Sequence, residues 1–188
     1  MSAFDLSAKF PLPFAPAPRA AGLLAGHQAG LRRSLRPHLD EMLDRLGLPA
    51  GAVMVGYAGS EDFKPVCIPD GGMPAPASAD RVILCQFMSM APDWRQSLDT
   101  AMAMLKPGGR IGVLDFQLPR HGLRLVRGFW RAWFGRAGLR LSANHLADLR
   151  YRCPEHVFAE RHVAVPGLPG LRAPCYWFVG KVPAADWR

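Results

Sequence analysis

The chain has 188 residues, 49% of them hydrophobic, and a formal net charge of +8 that comes mostly from arginine. That length supports one domain with a real core, and that apolar fraction excludes a disordered chain. The charge allows an anionic partner, but a basic solvated surface has the same composition. Cys67, Cys85, Cys153 and Cys175 form no C-x-x-C pair and no cysteine–histidine cluster, so neither a zinc site nor a disulfide framework is expected. No metal site is expected. No signal peptide and no apolar run of membrane-spanning length is found, so the default compartment is the cytoplasm.

Residues 1–30 carry Pro11, Pro13, Pro16 and Pro18 among alanines and phenylalanines, a density that blocks helix and central strand. They read as an extended arm, and residues 31–188 as a single domain. In residues 31–46, Leu31, Leu35, Leu39, Met42, Leu43 and Leu46 fall on one helical stripe. Glu41 and Arg45 form a facing pair, Pro37 should break or kink the helix, and Gly47 and Pro49 stop it. Residues 52–57 are a short strand. Residues 61–79 are Pro/Gly-rich and read as a loop.

Residues 81–87 are apolar nearly throughout, as in a strand covered on both faces, and Cys85 within it reads as a small buried hydrophobe. Trp94, Leu98, Ala101, Met102 and Leu105 then recur at helical spacing, and Lys106 suits that helix's carboxyl end. Pro107-Gly108-Gly109 turns the chain into a strand at 110–116. Strand, helix and strand make a βαβ unit, in whose sheets ligands bind beyond the carboxyl ends of the strands. The first places to look for chemistry are therefore 86–90 and 115–118.

Residues 123–137 form a second amphipathic helix. Arg120, Arg124, Arg127 and Arg131 lie along one face, with Val126, Phe129, Trp130, Trp133 and Phe134 largely elsewhere. Two readings stand. The helix lies on an anionic membrane surface, or its aromatics cover the sheet while its arginines face water. No stacking platform or recognised motif supports a nucleic-acid partner. Ser142 caps a helix at 143–151. Strands at 157–165 and 173–182 form a hairpin about the turn 166–170.

From Asp80 onward these residues resemble the carboxyl-terminal half of class I S-adenosylmethionine-dependent methyltransferases. The resemblance rests on Ala79-Asp80-Arg81-Val82 entering the fourth strand, Leu105-Lys106-Pro107-Gly108-Gly109 before the fifth, and the closing hairpin. Ser89-Met90-Ala91-Pro92-Asp93-Trp94 and Val113-Leu114-Asp115-Phe116 look most like enzymes that methylate the amine of a betaine-lipid precursor, diacylglyceryl-homoserine. The implied fold is α/β, a Rossmann-like mostly parallel sheet with a C-terminal antiparallel hairpin. Its N-terminal half is degenerate or missing, because the Gly-rich cofactor loop that follows the family's first strand is absent. Gly22, Gly26 and Gly30 follow no apolar strand and make a poor substitute.

The resemblance implies S-adenosylmethionine as cofactor, with Asp40, Glu61, Asp62, Cys85 and Gln86 as its candidate contacts. Asp40 stands in Leu39-Asp40-Glu41-Met42-Leu43, which is similar to the segment after the family's second strand, where an acid binds the ribose. Residues 57–62 would end the third strand, where the family contacts adenine, with Glu61 or Asp62 as the contact or as a solvated loop residue. Methyl transfer from a sulfonium needs the acceptor nucleophile, the methyl carbon and the sulfur held in line and water excluded, rather than covalent catalysis by the protein. Candidates beside the reacting centre are Gln86, Phe87, Ser89, Met90 and Asp115. Phe87 would offer its π face to the cation or pack in the core. Asp115 would position an amine acceptor or cap a loop. The acceptor would be a small or lipid-linked amine, and the protein would be cytoplasmic or peripheral at the membrane. The alternative is a non-catalytic relic serving as a partner subunit, in a homo- or hetero-dimer, or as a membrane-surface module.

Overall fold

The structure is a computed structural model and describes residues 25–48, 54–58, 75–119, 124–136, 139–165, 168 and 170–183. In chain order the elements are α1 (Ala25–Leu46), β1 (Met54–Ala58), β2 (Ala79–Cys85), α2 (Trp94–Ala103) and β3 (Leu105–Phe116). Then follow α3 (Arg124–Arg136), α4 (His145–Arg152), β4 (His156–Ala164) and β5 (Arg172–Lys181). The strands form one sheet in the order β1-β2-β3-β5-β4. β1, β2 and β3 run parallel, while β3 with β5 and β5 with β4 are antiparallel. The sheet is thus Rossmann-like with a closing hairpin, its pairings divided evenly between parallel and antiparallel.

Alternation along the strands builds two cores. Ile83, Cys85, Leu114 and Phe116 face Leu31, Leu35, Leu39, Met42 and Leu46 of α1 and Trp130 and Phe134 of α3. Val82, Leu84, Ile111 and Val113 face Leu98 and Met102 of α2 and Leu146 and Leu149 of α4. The layers are helix, sheet and helix. The α1 stripe expected from the sequence is the buried one. Pro37 lies inside a continuous 22-residue helix and does not end it. That helix begins at Ala25, so 25–30 belong to it and not to the arm; residues 1–24 lie outside the described residues. Glu41 does not pair with Arg45. It reaches β4 and accepts from Arg161 at 2.7 Å.

The Lys-Pro-Gly-Gly stretch lies inside β3 as a bulge. Ala79 opposes Leu105 and Arg81 opposes Arg110, so two residues of advance on β2 match five on β3. Gly108 has φ +76, and a Cβ on Gly109 would stand 2.9 Å from the Lys106 carbonyl oxygen. The bulge needs both glycines for different reasons, conformation at one and space at the other. Lys106 Nζ closes it by donating to both Asp80 carboxylate oxygens at 3.0 and 3.1 Å.

Asp93 caps α2 by accepting from the backbone N–H groups of Arg95 and Gln96, both at 3.1 Å. Such a cap is worth about 1 kcal/mol. At α4 the cap position is Asn144, not Ser142; the Ser142 hydroxyl accepts the Asn144 N–H at 3.1 Å.

Candidate active site

β2 and β3 end side by side, Cys85 opposite Leu114, so the chain after β2 emerges beside Asp115 and Phe116. Gln86 keeps one ladder bond, its N–H donating to Leu114 O at 2.8 Å, and then turns the chain with φ +53. Left-handed backbone costs a residue with a Cβ on the order of 1 kcal/mol, and such strain gathers at functional sites. Two bonds to the Phe87 carbonyl, from the N–H of Met90 at 3.1 Å and of Ala91 at 2.9 Å, complete the turn.

This loop is locked from beneath. Asp115 accepts from the Ser89 hydroxyl at 2.5 Å, the Ser89 N–H at 2.9 Å and the Phe116 N–H at 2.7 Å. The Ser89 carbonyl accepts the Arg140 N–H at 2.6 Å, tying the loop to the segment after α3. Ser89 and Asp115 have no exposed surface. Burial pushes the Asp115 carboxyl up to about 6, and the hydrogen bonds from Ser89 and Phe116 oppose that rise. Of the two roles weighed for Asp115, the geometry is that of a brace holding a loop.

Phe87 and Met88 are buried in the core shared with α2. Met90 is half-buried and packs on the opposite core. Gln86 is half-buried. Of the five candidates at the reacting centre, Gln86 and Met90 therefore have surface left for a ligand. Cys85 is buried at the end of β2, and burial beside Asp115 pushes its thiol up to about 12, so it stays protonated. Asp40 sits in the body of α1 with its side chain 62% exposed, 4.0 Å from Arg36. Helix, not strand, precedes it from Ala25 onward. Glu61 and Asp62 lie outside the described residues.

The sheet order changes the meaning of β1. In doubly wound sheets the first strand, not the third, lies beside the fourth. β1 pairs with β2, Ala58 opposite Cys85, and so takes the first strand's place. Residues 59–62 then follow the strand after which such folds place their cofactor loop. Gly26 and Gly30 lie within α1 instead.

Two buried groups near this region carry no obvious sequence signal. Tyr176 opposes Asp115 across the β3–β5 ladder, and its hydroxyl donates weakly to Met88 Sδ at 3.8 Å. His145, at the start of α4, is fully buried, and neither ring nitrogen has a hydrogen-bond partner. Its ring meets Trp94 edge-on at 4.7 Å. An aromatic residue inside an apolar strand and a histidine on a helix's apolar face look alike whether they pack or act. Among the described residues no group of three or more His, Cys, Asp or Glu could hold a metal ion.

No protein-family model matches the chain, and no curated protein does. Solved structures do. One is a SAM-dependent methyltransferase from Thermotoga maritima, 16% identical with a TM-score of 0.53, covering 85% of this chain and 98% of its own. Another is a complex between a methyltransferase activator and a methyltransferase from Haloferax volcanii. It is 14% identical with a TM-score of 0.57, covering 87% of this chain and 96% of its own. At such identities the likeness is one of fold. The chain folds as S-adenosylmethionine-dependent methyltransferases do.

Proposed function

We propose that this chain transfers a methyl group from S-adenosylmethionine to an amine, small or lipid-linked. The observation that carries the reading is the convergence of the carboxyl ends of β1, β2 and β3, with strained Gln86 between them. Parallel strand ends of this kind are where α/β folds bind ligands.

The residues there suit the cofactor's methionine end. Ala58 and Cys85 are small, Gly59 follows β1, and the Gln86 amide can both donate and accept. Glu61 or Asp62 would contact the cofactor from the segment after β1, whereas Asp40 stands on an exposed helix face. The cofactor supplies an activated methyl. The protein's part is to align the amine with that carbon and keep water out. Gln86 and Met90 would flank the bound cofactor, whose sulfonium would supply the methyl to the amine nitrogen, and the amine's proton would pass to solvent as the product leaves. The braced loop 86–90 keeps Gln86 and Met90 in place for this.

Lipid linkage draws support from the likeness of 89–94 and 113–116 to betaine-lipid enzymes, and with it a cytoplasmic protein peripheral at the membrane. The Thermotoga relative is described as a possible histamine N-methyltransferase, which favours a small amine. Labelled methyl transfer to aminolipids and to small amines, run in parallel, tests the reading. Gln86→Ala should lower the rate at least tenfold with the unfolding midpoint unchanged. Absence of transfer to any amine would remove the proposal.

A second reading has its own observation. β1 forms the edge of the described sheet, and an open edge can pair with another chain. In that case the protein is a partner subunit without activity of its own. A monomer in sedimentation equilibrium at high concentration would count against the self-paired form.

A further inference from the structure

α3 presents three distinct stripes at 3.6 residues per turn. Trp130 and Phe134 are buried and dock the helix; Phe134 lies 4.8 Å from Phe116 and 5.5 Å from Trp130, ring to ring. Arg124, Arg127 and Arg131 form a basic stripe on one flank. On the other flank Leu125, Val126 and Phe129 are 82%, 43% and 45% exposed. The small residues Gly128, Ala132 and Gly135 separate the basic and apolar stripes. The docked face meets one of the two sequence readings of this helix, and the exposed stripes are the surface that the other reading would use. Its aromatics do cover the sheet, but through the carboxyl-terminal half alone.

The stretch of chain that contains it carries charge of one sign. Between Asp115 and Asp148 the chain has six arginines and no aspartate or glutamate. Three of the seven exposed large hydrophobics among the described residues fall in the first two turns of α3. A scattered exposed leucine needs no explanation, but a cluster of large apolar groups beside arginines marks an interaction surface. Among the described residues no helix is long and apolar enough to cross a membrane.

We propose that α3 docks this chain onto an anionic lipid bilayer. Leu125, Val126 and Phe129 enter the interface between headgroups and acyl chains, and Arg124 and Arg131 meet lipid phosphates. Charge complementarity selects this occupant, because an acid-free arginine stripe attracts a negative surface and repels a second copy of itself. The helix is also tied to the candidate site. It starts eight residues after Phe116, the last residue of β3, and Arg140, four residues past its end, donates to the Ser89 carbonyl at 2.6 Å. Docking would bring the bilayer to the rim that carries Gln86 and Met90. The docking itself does not depend on methyl transfer.

Co-sedimentation of the full chain with vesicles tests this without cofactor. Phosphatidylcholine vesicles are compared with phosphatidylcholine containing phosphatidylglycerol, at low and high salt. Binding should need the anionic lipid and weaken as salt screens the charge. Arg124→Gln with Arg131→Gln should weaken it by a factor of about 25, from roughly fivefold for each charge. Leu125→Ser with Phe129→Ser should weaken it at least about tenfold. All four positions are exposed, so circular dichroism and the unfolding midpoint should not change. Failure to bind anionic vesicles, or binding by both double variants as tight as that of the unaltered chain, would overturn the proposal. So would a stable dimer that Leu125→Ser with Phe129→Ser splits, which would assign the apolar stripe to a second copy. None of these outcomes bears on whether the chain binds S-adenosylmethionine.

Discussion

Asp115 holds Ser89 by two hydrogen bonds, to its hydroxyl at 2.5 Å and its backbone N–H at 2.9 Å, across 26 residues of sequence. The pair joins the end of β3 to the loop leaving β2, and both residues are fully buried. Asp115→Ala would leave the Ser89 N–H and hydroxyl without partners in the core. It should lower the free energy of unfolding by roughly 3 kcal/mol, and Ser89→Ala by about 1 kcal/mol. The two losses should add to more than the double variant's loss, because they share one interaction. Urea unfolding of the three variants measures this, and strict additivity would deny the brace.

Two buried groups give opposing pH dependence. Burial raises the Asp115 carboxyl from 3.8 to about 6, so between those values the unfolded chain loses its proton first and stability falls as pH rises. Burial, with Arg95 nearby, lowers His145 from 6.5 to about 4. There the unfolded chain binds the extra proton, so stability rises with pH across nearly the same window. Each effect is roughly 3 kcal/mol over the window, and they offset. The unaltered protein should therefore show little change in urea midpoint between pH 4 and 6 from these two groups. His145→Phe should leave stability falling with pH, and Asp115→Asn should leave it rising. Parallel profiles for the two variants would contradict the assignment.

Gly180 tests the packing of β5 against α4's end. A Cβ there would lie 2.6 Å from Cys153 Cβ and 2.6 Å from a Phe178 ring carbon. Gly180→Ala should cost about 1–3 kcal/mol by overpacking, whereas Gly128→Ala, with open space around it, should be neutral or stabilising. Thermal unfolding of both separates the cases.

What could be read from the sequence was what local pattern encodes. The βαβ unit, the hairpin and the α1 stripe follow from periods of 2 and 3.6 and from Gly/Pro punctuation; the hairpin strands lie within one residue of their expected bounds, while α1 starts six residues and β3 five residues before theirs. What escaped depends on partners distant in sequence. Glu41 finds Arg161, 120 residues away, rather than Arg45 on the next turn. Nothing near Ser89 announces that Asp115 and Arg140 fix it from two sides. The left-handed turn at Gln86 has no glycine or asparagine to signal it. The rank of β1 is set by its neighbour in the sheet, so counting strands back from residue 81 assigned it as third when it stands where a first strand stands. The Pro-Gly-Gly signal was real, but it marks a bulge within β3 rather than the turn before it.

Calorimetric titration of the 188-residue chain with S-adenosylmethionine decides whether the cofactor binds. Saturable one-to-one binding in the micromolar range, weakened by Gln86→Ala, is expected. No heat of binding at millimolar cofactor would contradict it, and would leave the protein a methyltransferase in fold alone.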